Sequence, residues 1–249
     1  RYYKKQGFTD LFVADELLGL NPKRTDIITE MFARYKFRWW AQSRISIFLK
    51  HLDDWYQRGL RFPSTGVESL SQKALETVDK HQNVERTYEF TRRTAQKPGM
   101  YRVADYLLGF ENMNLEETIE DAVRLKWAGF DAHGVSVLTP FPGTPLWKEL
   151  DAKYGIFDRN YRHYDTHYMV WNHSYISPGQ MSYLRAALIS YLNNPITIYV
   201  KKFTRMIWNR FRAQGLEFIW RDIIKAPVVA ATYDERKQVF LDSQGKPRQ

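Results

Sequence analysis

Residues 66–69 read Gly-Val-Glu-Ser and close a short apolar run that begins at Leu60. Glu68 places a carboxylate, and Ser69 a hydroxyl, where an extended segment gives way to a helical one at Ser71. In proteins that alternate strands and helices, the carboxyl end of a strand is where ligands bind. Other residues able to do chemistry stand at matching places. Asp15-Glu16 close the segment Gly7–Asp15, Gln42 and Arg44 fall late in Arg38–Ile45, Asp105 and Gly109 lie in and just after Tyr101–Leu108, and Thr139 follows Phe130–Leu138. Carboxylates at such points suit cations and hydroxyl donors, and the planar fork of arginine suits a carboxylate. Glycine lets a ligand approach the backbone. Plainer readings stand beside these. Asp15 can cap the next turn, Arg44 can pair with Asp15 or Glu68, and Asp105 can be a buried acid paired to a neighbouring strand. Ser69 is read as the cap of the helix that follows it.

The elements that must position these groups follow from periodicity. Gly7–Asp15 reads as a buried strand. Asn21-Pro22 starts a helix, with Asn as N-cap and Pro at the first position, and Ile28, Met31, Phe32 and Tyr35 form its apolar stripe. Arg38–Ile45 is the second strand and Leu49–Gln57 a short helix. Phe62–Val67 is the third strand, followed by helices at Ser71–Val78 and Asn83–Lys97, the latter stopped by Pro98-Gly99. Tyr101–Leu108 is the fourth strand. Asn114 and Glu117 make a capping box on a helix expected to bury Leu115, Ile119, Ala122 and Val123. Phe130–Leu138 is the fifth strand, and Thr144-Pro145 opens a helix carrying Leu146, Leu150 and Tyr154. These alternations over residues 7–155 predict an α/β fold with a parallel sheet or barrel and right-handed crossovers. All the strand ends named above then share one face.

Residues 156–176 are rich in Tyr and His and read as a loop. Ser177-Pro178 opens a helical C-terminal extension, 177–233, with Met181, Leu184, Leu188 and Leu192 in helical register. Residues 234–249 are polar and are expected to form a disordered tail.

With 44% hydrophobic and 16% aromatic residues, the 249-residue chain can bury a large core. No apolar run approaches the roughly 18–20 residues of a membrane span, and no secretory leader is read at Arg1. Cysteine is absent, which excludes disulfides, thiolate catalysis and Cys-ligated metal within these residues. The net charge of +9 is that of a basic solvated surface, or of one that attracts phosphate or anionic lipid. Arg1-Tyr-Tyr-Lys-Lys5 reads as the last turn of a helix, so the chain is expected to be a fragment whose upstream part is missing.

The ordered set Phe12-Val-Ala-Asp-Glu16, Ala41-Gln-Ser-Arg44, Gly66-Val-Glu-Ser69, Leu107-Leu-Gly109 and Leu138-Thr-Pro-Phe-Pro-Gly-Thr-Pro145 resembles the radical S-adenosylmethionine enzymes. It is most similar to their group with an upstream cobalamin-binding domain, and the likeness covers residues 1 to about 195. It implies a partial (βα)6 TIM-like barrel over 1–155 whose first βα unit is missing here. It also implies S-adenosylmethionine and a [4Fe–4S] cluster held by a C-x-x-x-C-x-x-C loop, with cobalamin left open as a third cofactor. That loop is absent, so the chain alone is not expected to be catalytically competent. The intact protein would cleave S-adenosylmethionine reductively to begin radical chemistry, ending in methylation, cyclisation or another rearrangement.

The resemblance also assigns roles. Asp15 and Glu16 would meet the methionyl ammonium, and Gln42 and Arg44 its carboxylate side. Glu68 would contact ribose or methionine, and Asp105 the ribose hydroxyls. Gly109 would allow close approach of the ligand, and Thr139 would shape the adenine pocket. Lys80 resembles a basic position near the carboxylate, against the plainer reading of a surface lysine. His163, Asp165, His167 and His173 are open to three readings: a metal site, a face toward substrate or cobalamin, and plain packing under the barrel. The segment 195–225 carries Lys201, Lys202, Arg205, Arg210, Arg212, Arg221 and Lys225 against two acids, interleaved with aromatics. It reads as helices packed on the barrel, as a membrane-surface contact or as a stacking surface for nucleic acid. The implied partners are a small-molecule or lipid-like substrate and a reductant protein, without nucleic acid. The implied location is cytoplasmic, with an option of peripheral membrane contact. A non-catalytic barrel or a basic partner-binding module is the alternative function.

Overall fold

The computed structural model describes residues 2–77, 83–193, 232–234 and 239–241. After a helical turn, α1 (Tyr2–Lys5), strands and helices alternate: β1 (Asp10–Val13), α2 (Pro22–Arg34), β2 (Arg38–Gln42), α3 (Ile45–Gln57), β3 (Leu60–Glu68), α4 (Gln72–Leu75) and α5 (Val84–Ala95). Then come β4 (Val103–Leu108), α6 (Leu115–Trp127), β5 (Ala132–Val137), α7 (Pro145–Tyr154), a 3₁₀ turn at Tyr161–His163, and α8 (Pro178–Leu192). The strands pair in parallel in the order β1-β2-β3-β4-β5 and curl into a half-barrel. Each strand therefore lies beside its neighbours in sequence, and every carboxyl end opens on the same rim.

Polar caps set the helix starts. The side chains of Asn21, Asn83, Asn114, Thr144 and Ser177 each accept a backbone N–H of the first turn. Asn114/Glu117 and Ser177/Gln180 close full capping boxes.

Alternation along the strands splits the sheet into two faces. Trp39, Ala41, Leu60, Val67, Ala104, Tyr106, Leu108 and Val137 are buried under the helices, where they meet Phe48, Leu52, Trp55, Phe90, Ala122 and Leu125. Full burial of an aliphatic or Phe side chain here contributes roughly 1.5–3 kcal/mol. The opposite, concave face is open. Phe12 and Trp40 stand on it with ring centroids 5.1 Å apart, and Phe62 follows 6.4 Å from Trp40.

Several expectations change. β1 is not a buried strand: it is short, Phe12 is 64% exposed, and it pairs only with β2 among the described residues. α2 turns Thr25 and Thr29 inward and leaves Met31 exposed. α6 buries Thr118, Asp121, Ala122 and Leu125, while Ile119 and Val123 stay exposed. Small and polar side chains let these helices lie close to the sheet, so the inward stripe is not the most apolar one. α3 starts at Ile45, earlier than its periodicity suggests, because β2 ends at Gln42.

The segment after α7 is tied to the sheet. Leu150, Ile156, Tyr164, Val170 and Trp171 form a second apolar cluster. Trp171 Nε1 donates to Leu138 O at 3.1 Å, and Val137 N donates to Thr166 O at 2.7 Å.

The chain divides into two compact units, 1–206 and 207–249. In the second, the described residues form an antiparallel pair, β6 (Thr232–Asp234) with β7 (Val239–Leu241). β7 falls inside the stretch expected to be a tail; the rest of 235–249 lies outside the described residues, as does the basic segment 195–225. Among the described residues, no helix is long and apolar enough to cross a membrane.

Candidate S-adenosylmethionine site

The carboxyl rim of β1, β2 and β3 encloses a cleft of about 300 Å³. Glu16 reaches it from the turn after β1. Gln42, Ser43 and Arg44 reach it from the end of β2, Gly66 and Glu68 from the end of β3, and Arg86 from the first turn of α5. α3 also opens onto this cleft, through Ile45 and Ser46. Its N-cap, Arg44, makes no side-chain capping bond, so the positive end of the helix dipole faces the space.

The cleft thus gathers two carboxylates, two guanidinium groups, an amide, two serines and a helix N-terminus. That donor set suits a zwitterion: the acids take an ammonium or ribose hydroxyls, and the arginines with the helix end take a carboxylate. Glu16, Gln42, Arg44 and Glu68 are brought together as the sequence order requires. Arg86 was not anticipated. The available signal was Asn83, whose side chain accepts Arg86 N at 2.9 Å and so fixes Arg86 in the first helical turn. Among the described residues Arg44 makes no ion pair. Lys80 lies outside the described residues.

Glycine at position 66 leaves room for the Glu68 carboxylate. A Cβ there would collide with Glu68 Oε1, because the Glu68 carboxylate folds back over the glycine.

Other predicted residues are placed differently. Asp15 does not line the cleft: its Oδ2 accepts Arg24 Nη1 at 2.6 Å and its Oδ1 accepts Leu17 N at 3.1 Å. The Arg24 hydrogen bond, then the Leu17 amide, hold its carboxyl below the usual range. Asp105 stands on the concave face, in register between Gly66 of β3 and Gly134 of β5. A Cβ at Gly134 would lie 2.7 Å from Asp105 Oδ1, so the carboxylate lies across that glycine, and Ser64 Oγ is 3.4 Å from its Oδ2. Gly109, at φ 86°, is packed beneath Met169 and Met181. Thr139 donates to Val137 O at 3.0 Å.

Ser69 is not the helix cap; Ser71 holds that position. Ser69 Oγ accepts Ser71 N at 2.9 Å and donates to Asp121 Oδ2 at 2.6 Å.

The three histidines named from the sequence, His163, His167 and His173, are each engaged by neighbours. His163 Nδ1 lies 2.6 Å from Asp158 Oδ2, and His167 pairs with Asp165 at 3.3 Å. His173 Nε2 donates to Phe110 O at 2.9 Å, while its Nδ1 accepts the amides of Tyr175 and Ile176. Among the described residues, no group of three metal-ligating side chains converges.

The architecture matches solved structures. The radical S-adenosylmethionine methyltransferase TsrM from Kitasatospora setae, determined with cobalamin and a [4Fe–4S] cluster, superposes with a TM-score of 0.53 at 18% identity, over 61% of this chain and 32% of that one. Coproporphyrinogen III oxidase (HemN) from Escherichia coli, a radical SAM enzyme, gives 0.56 at 13% identity, over 75% and 40%. The fold is that of the radical S-adenosylmethionine enzymes. In sequence, this radical S-adenosylmethionine-type barrel is 26% identical over 193 residues to an uncharacterized methyltransferase of Pyrococcus horikoshii, covering 76% of the chain and 42% of the relative. It is 27% identical over 255 residues to the anaerobic magnesium-protoporphyrin IX monomethyl ester cyclase of Cereibacter sphaeroides, covering 98% and 40%. No protein-family model matches. The chain thus spans about two fifths of the length of these curated relatives.

The residues present fit S-adenosylmethionine: the cleft holds partners for its ammonium, carboxylate and hydroxyls. They do not fit an iron–sulfur cluster, since the chain has no cysteine, and no step through a cluster is assigned to them.

Proposed function

We propose that this chain is the S-adenosylmethionine-binding part of a radical S-adenosylmethionine enzyme. The observation that carries the reading is the convergence of Glu16, Gln42, Arg44 and Glu68 on one cleft at the rim of β1–β3. Their order in sequence and their place on the strands are those the family likeness requires.

In this reading Glu16 takes the methionyl ammonium, and Arg44 and Arg86, with the start of α3, take the carboxylate. Glu68 accepts a hydrogen bond from the ribose side. Gln42 lies between them and fixes the ligand's orientation through its amide. The chain's residues hold and orient the ligand; they move no proton. The names of the relatives support methyl transfer or ring closure on an organic substrate as the reaction of the whole enzyme; cobalamin, which TsrM holds, and a reductant protein are proposed as its further requirements.

Isothermal titration of the chain with S-adenosylmethionine tests this. One site per chain is expected, weakened about tenfold by Glu68→Gln or Arg44→Ala, the equivalent of one charge-assisted hydrogen bond. A folded chain that takes up no ligand would sink the reading.

A second reading rests on the absence of cysteine: a barrel that binds the same ligand without chemistry. Reading the gene upstream of Arg1 separates the two: an in-frame C-x-x-x-C-x-x-C loop there removes the second reading.

A further inference from the structure

Glu68, the last residue of β3, stands at φ 63°, in the left-handed region that a residue with a Cβ adopts at a cost. Ser69 N donates back to Val67 O at 2.7 Å, closing a three-residue γ-turn about Glu68 of the rare, strained hand. The pairing of β3 with β4 slips at the same point: Gly66 faces Asp105, and Glu68 faces Tyr106. Strained backbone persists only where its surroundings hold it.

A buried carboxylate fastens the residues around it. Asp121, on the inner face of α6, has 0% of its side chain exposed. Its Oδ2 accepts Ser69 Oγ at 2.6 Å and the Tyr106 hydroxyl at 3.1 Å, and its Oδ1 accepts Leu70 N at 3.0 Å. The two residues that follow Glu68 and its partner across the register slip are therefore fastened to one group. A carboxylate placed fully inside a core is costly unless each of its oxygens is used; here each bonds the strained turn or its β4 neighbour, and Arg124 Nη2 lies 3.7 Å from Oδ1.

We propose that Asp121 is a positioning residue for the cleft: it clamps the turn that lays the Glu68 carboxylate over Gly66, and so sets ligand affinity without touching the ligand. This rests on the reading of the cleft as an S-adenosylmethionine site. A mere strut would affect stability and leave affinity alone, and it would act independently of Glu68.

The test is titration of the full chain with S-adenosylmethionine for wild type, Glu68→Gln, Asp121→Asn and the double variant, with thermal melts of each. Asp121→Asn is expected to weaken binding about tenfold, and to add less than about twofold when Glu68 is already Gln, because the two act through one contact. Ser69→Ala, which removes only one of the three clamps, is expected to show a smaller loss with the same dependence on Glu68, and it carries the test if Asp121→Asn fails to fold. The proposal is overturned if Asp121→Asn folds and binds like wild type, or if its loss is undiminished in the Glu68→Gln background. If the wild-type chain binds no S-adenosylmethionine, the cleft reading itself fails and the clamp falls with it. If Glu68→Gln weakens binding and neither Asp121→Asn nor Ser69→Ala does, the clamp alone is rejected.

Discussion

Arg102 and Asp131 face each other inside the protein, Nε to Oδ2 at 2.7 Å, with 2% and 4% of their side chains exposed. Arg102 Nη2 donates to the other oxygen at 3.2 Å, Arg102 N to Oδ2 at 2.9 Å, and Arg102 Nη1 reaches Thr91 O at 3.4 Å. The pair joins the entry of β4, the entry of β5 and α5. Asp131→Ala leaves a buried guanidinium without its carboxylate and is expected to cost about 3–5 kcal/mol. Urea unfolding should show the midpoint fall sharply; a change under about 1 kcal/mol would contradict the pairing.

Gly66→Ala separates binding from folding. The added methyl pushes the Glu68 carboxylate off its perch, so affinity for S-adenosylmethionine is expected to fall about tenfold. Gly66 does not adopt the left-handed backbone, so stability should hold or rise slightly, by up to about 1 kcal/mol. Unaltered affinity in a folded variant would mean that the Glu68 carboxylate is not a ligand group in this position.

His173 makes the fold pH-sensitive. A carbonyl can only accept, so the bond to Phe110 O places the proton on Nε2, and Nδ1 must stay bare to receive two amides. Burial, the largest cause, lowers its pKa from the ordinary 6.5, against the Phe110 bond and nearby Glu111, which raise it. The unfolded chain thus binds the proton first. The stabilisation is fully present above pH 6.5 and is lost as pH falls through the lower folded value. Melting temperature should drop across that acidic window, and His173→Gln should flatten the drop. An equal slope in the variant would assign the effect elsewhere.

The edge of the sheet at β1 is expected to favour association between molecules. Phe12 and Trp40 present an apolar surface beside a strand that has one neighbour among the described residues, the arrangement that invites edge pairing between molecules. Phe12→Lys is expected to reduce concentration-dependent light scattering while changing unfolding free energy by no more than about 0.5 kcal/mol. Undiminished scattering would place the association elsewhere.

Much of the barrel was legible in the sequence because its punctuation is chemical. Asn21-Pro22, Asn114 with Glu117, and Ser177-Pro178 with Gln180 state where helices begin, and apolar runs between them leave few alternatives to a parallel sheet. Glu16, Gln42, Arg44 and Glu68 could be paired with one another because parallel strands in sequence order must end on one rim. The inner faces of α2 and α6 were not legible. There Thr25, Thr29, Thr118 and Asp121 turn inward while Met31, Ile119 and Val123 face out, and a hydrophobicity rule selects the wrong stripe. Asp121 was invisible for the same reason: its partners on the turn, Leu70 and Ser69, are 51 and 52 residues away, and nothing local marks it as the acid that matters. Arg86 needed the fold, because only the pairing of β3 with its neighbours shows that the start of α5 overlooks the cleft.

Sequence-adjacent pairing of every strand has a consequence for synthesis. The cleft side chains up to Glu68 come from the first three strands, so they leave the ribosome before Asp121 exists. A nascent barrel can therefore display its ligand groups before it can hold them still. Under the proposed clamp, full affinity would come only with the arrival of α6, which makes affinity a report on whether the second half of the sheet has docked.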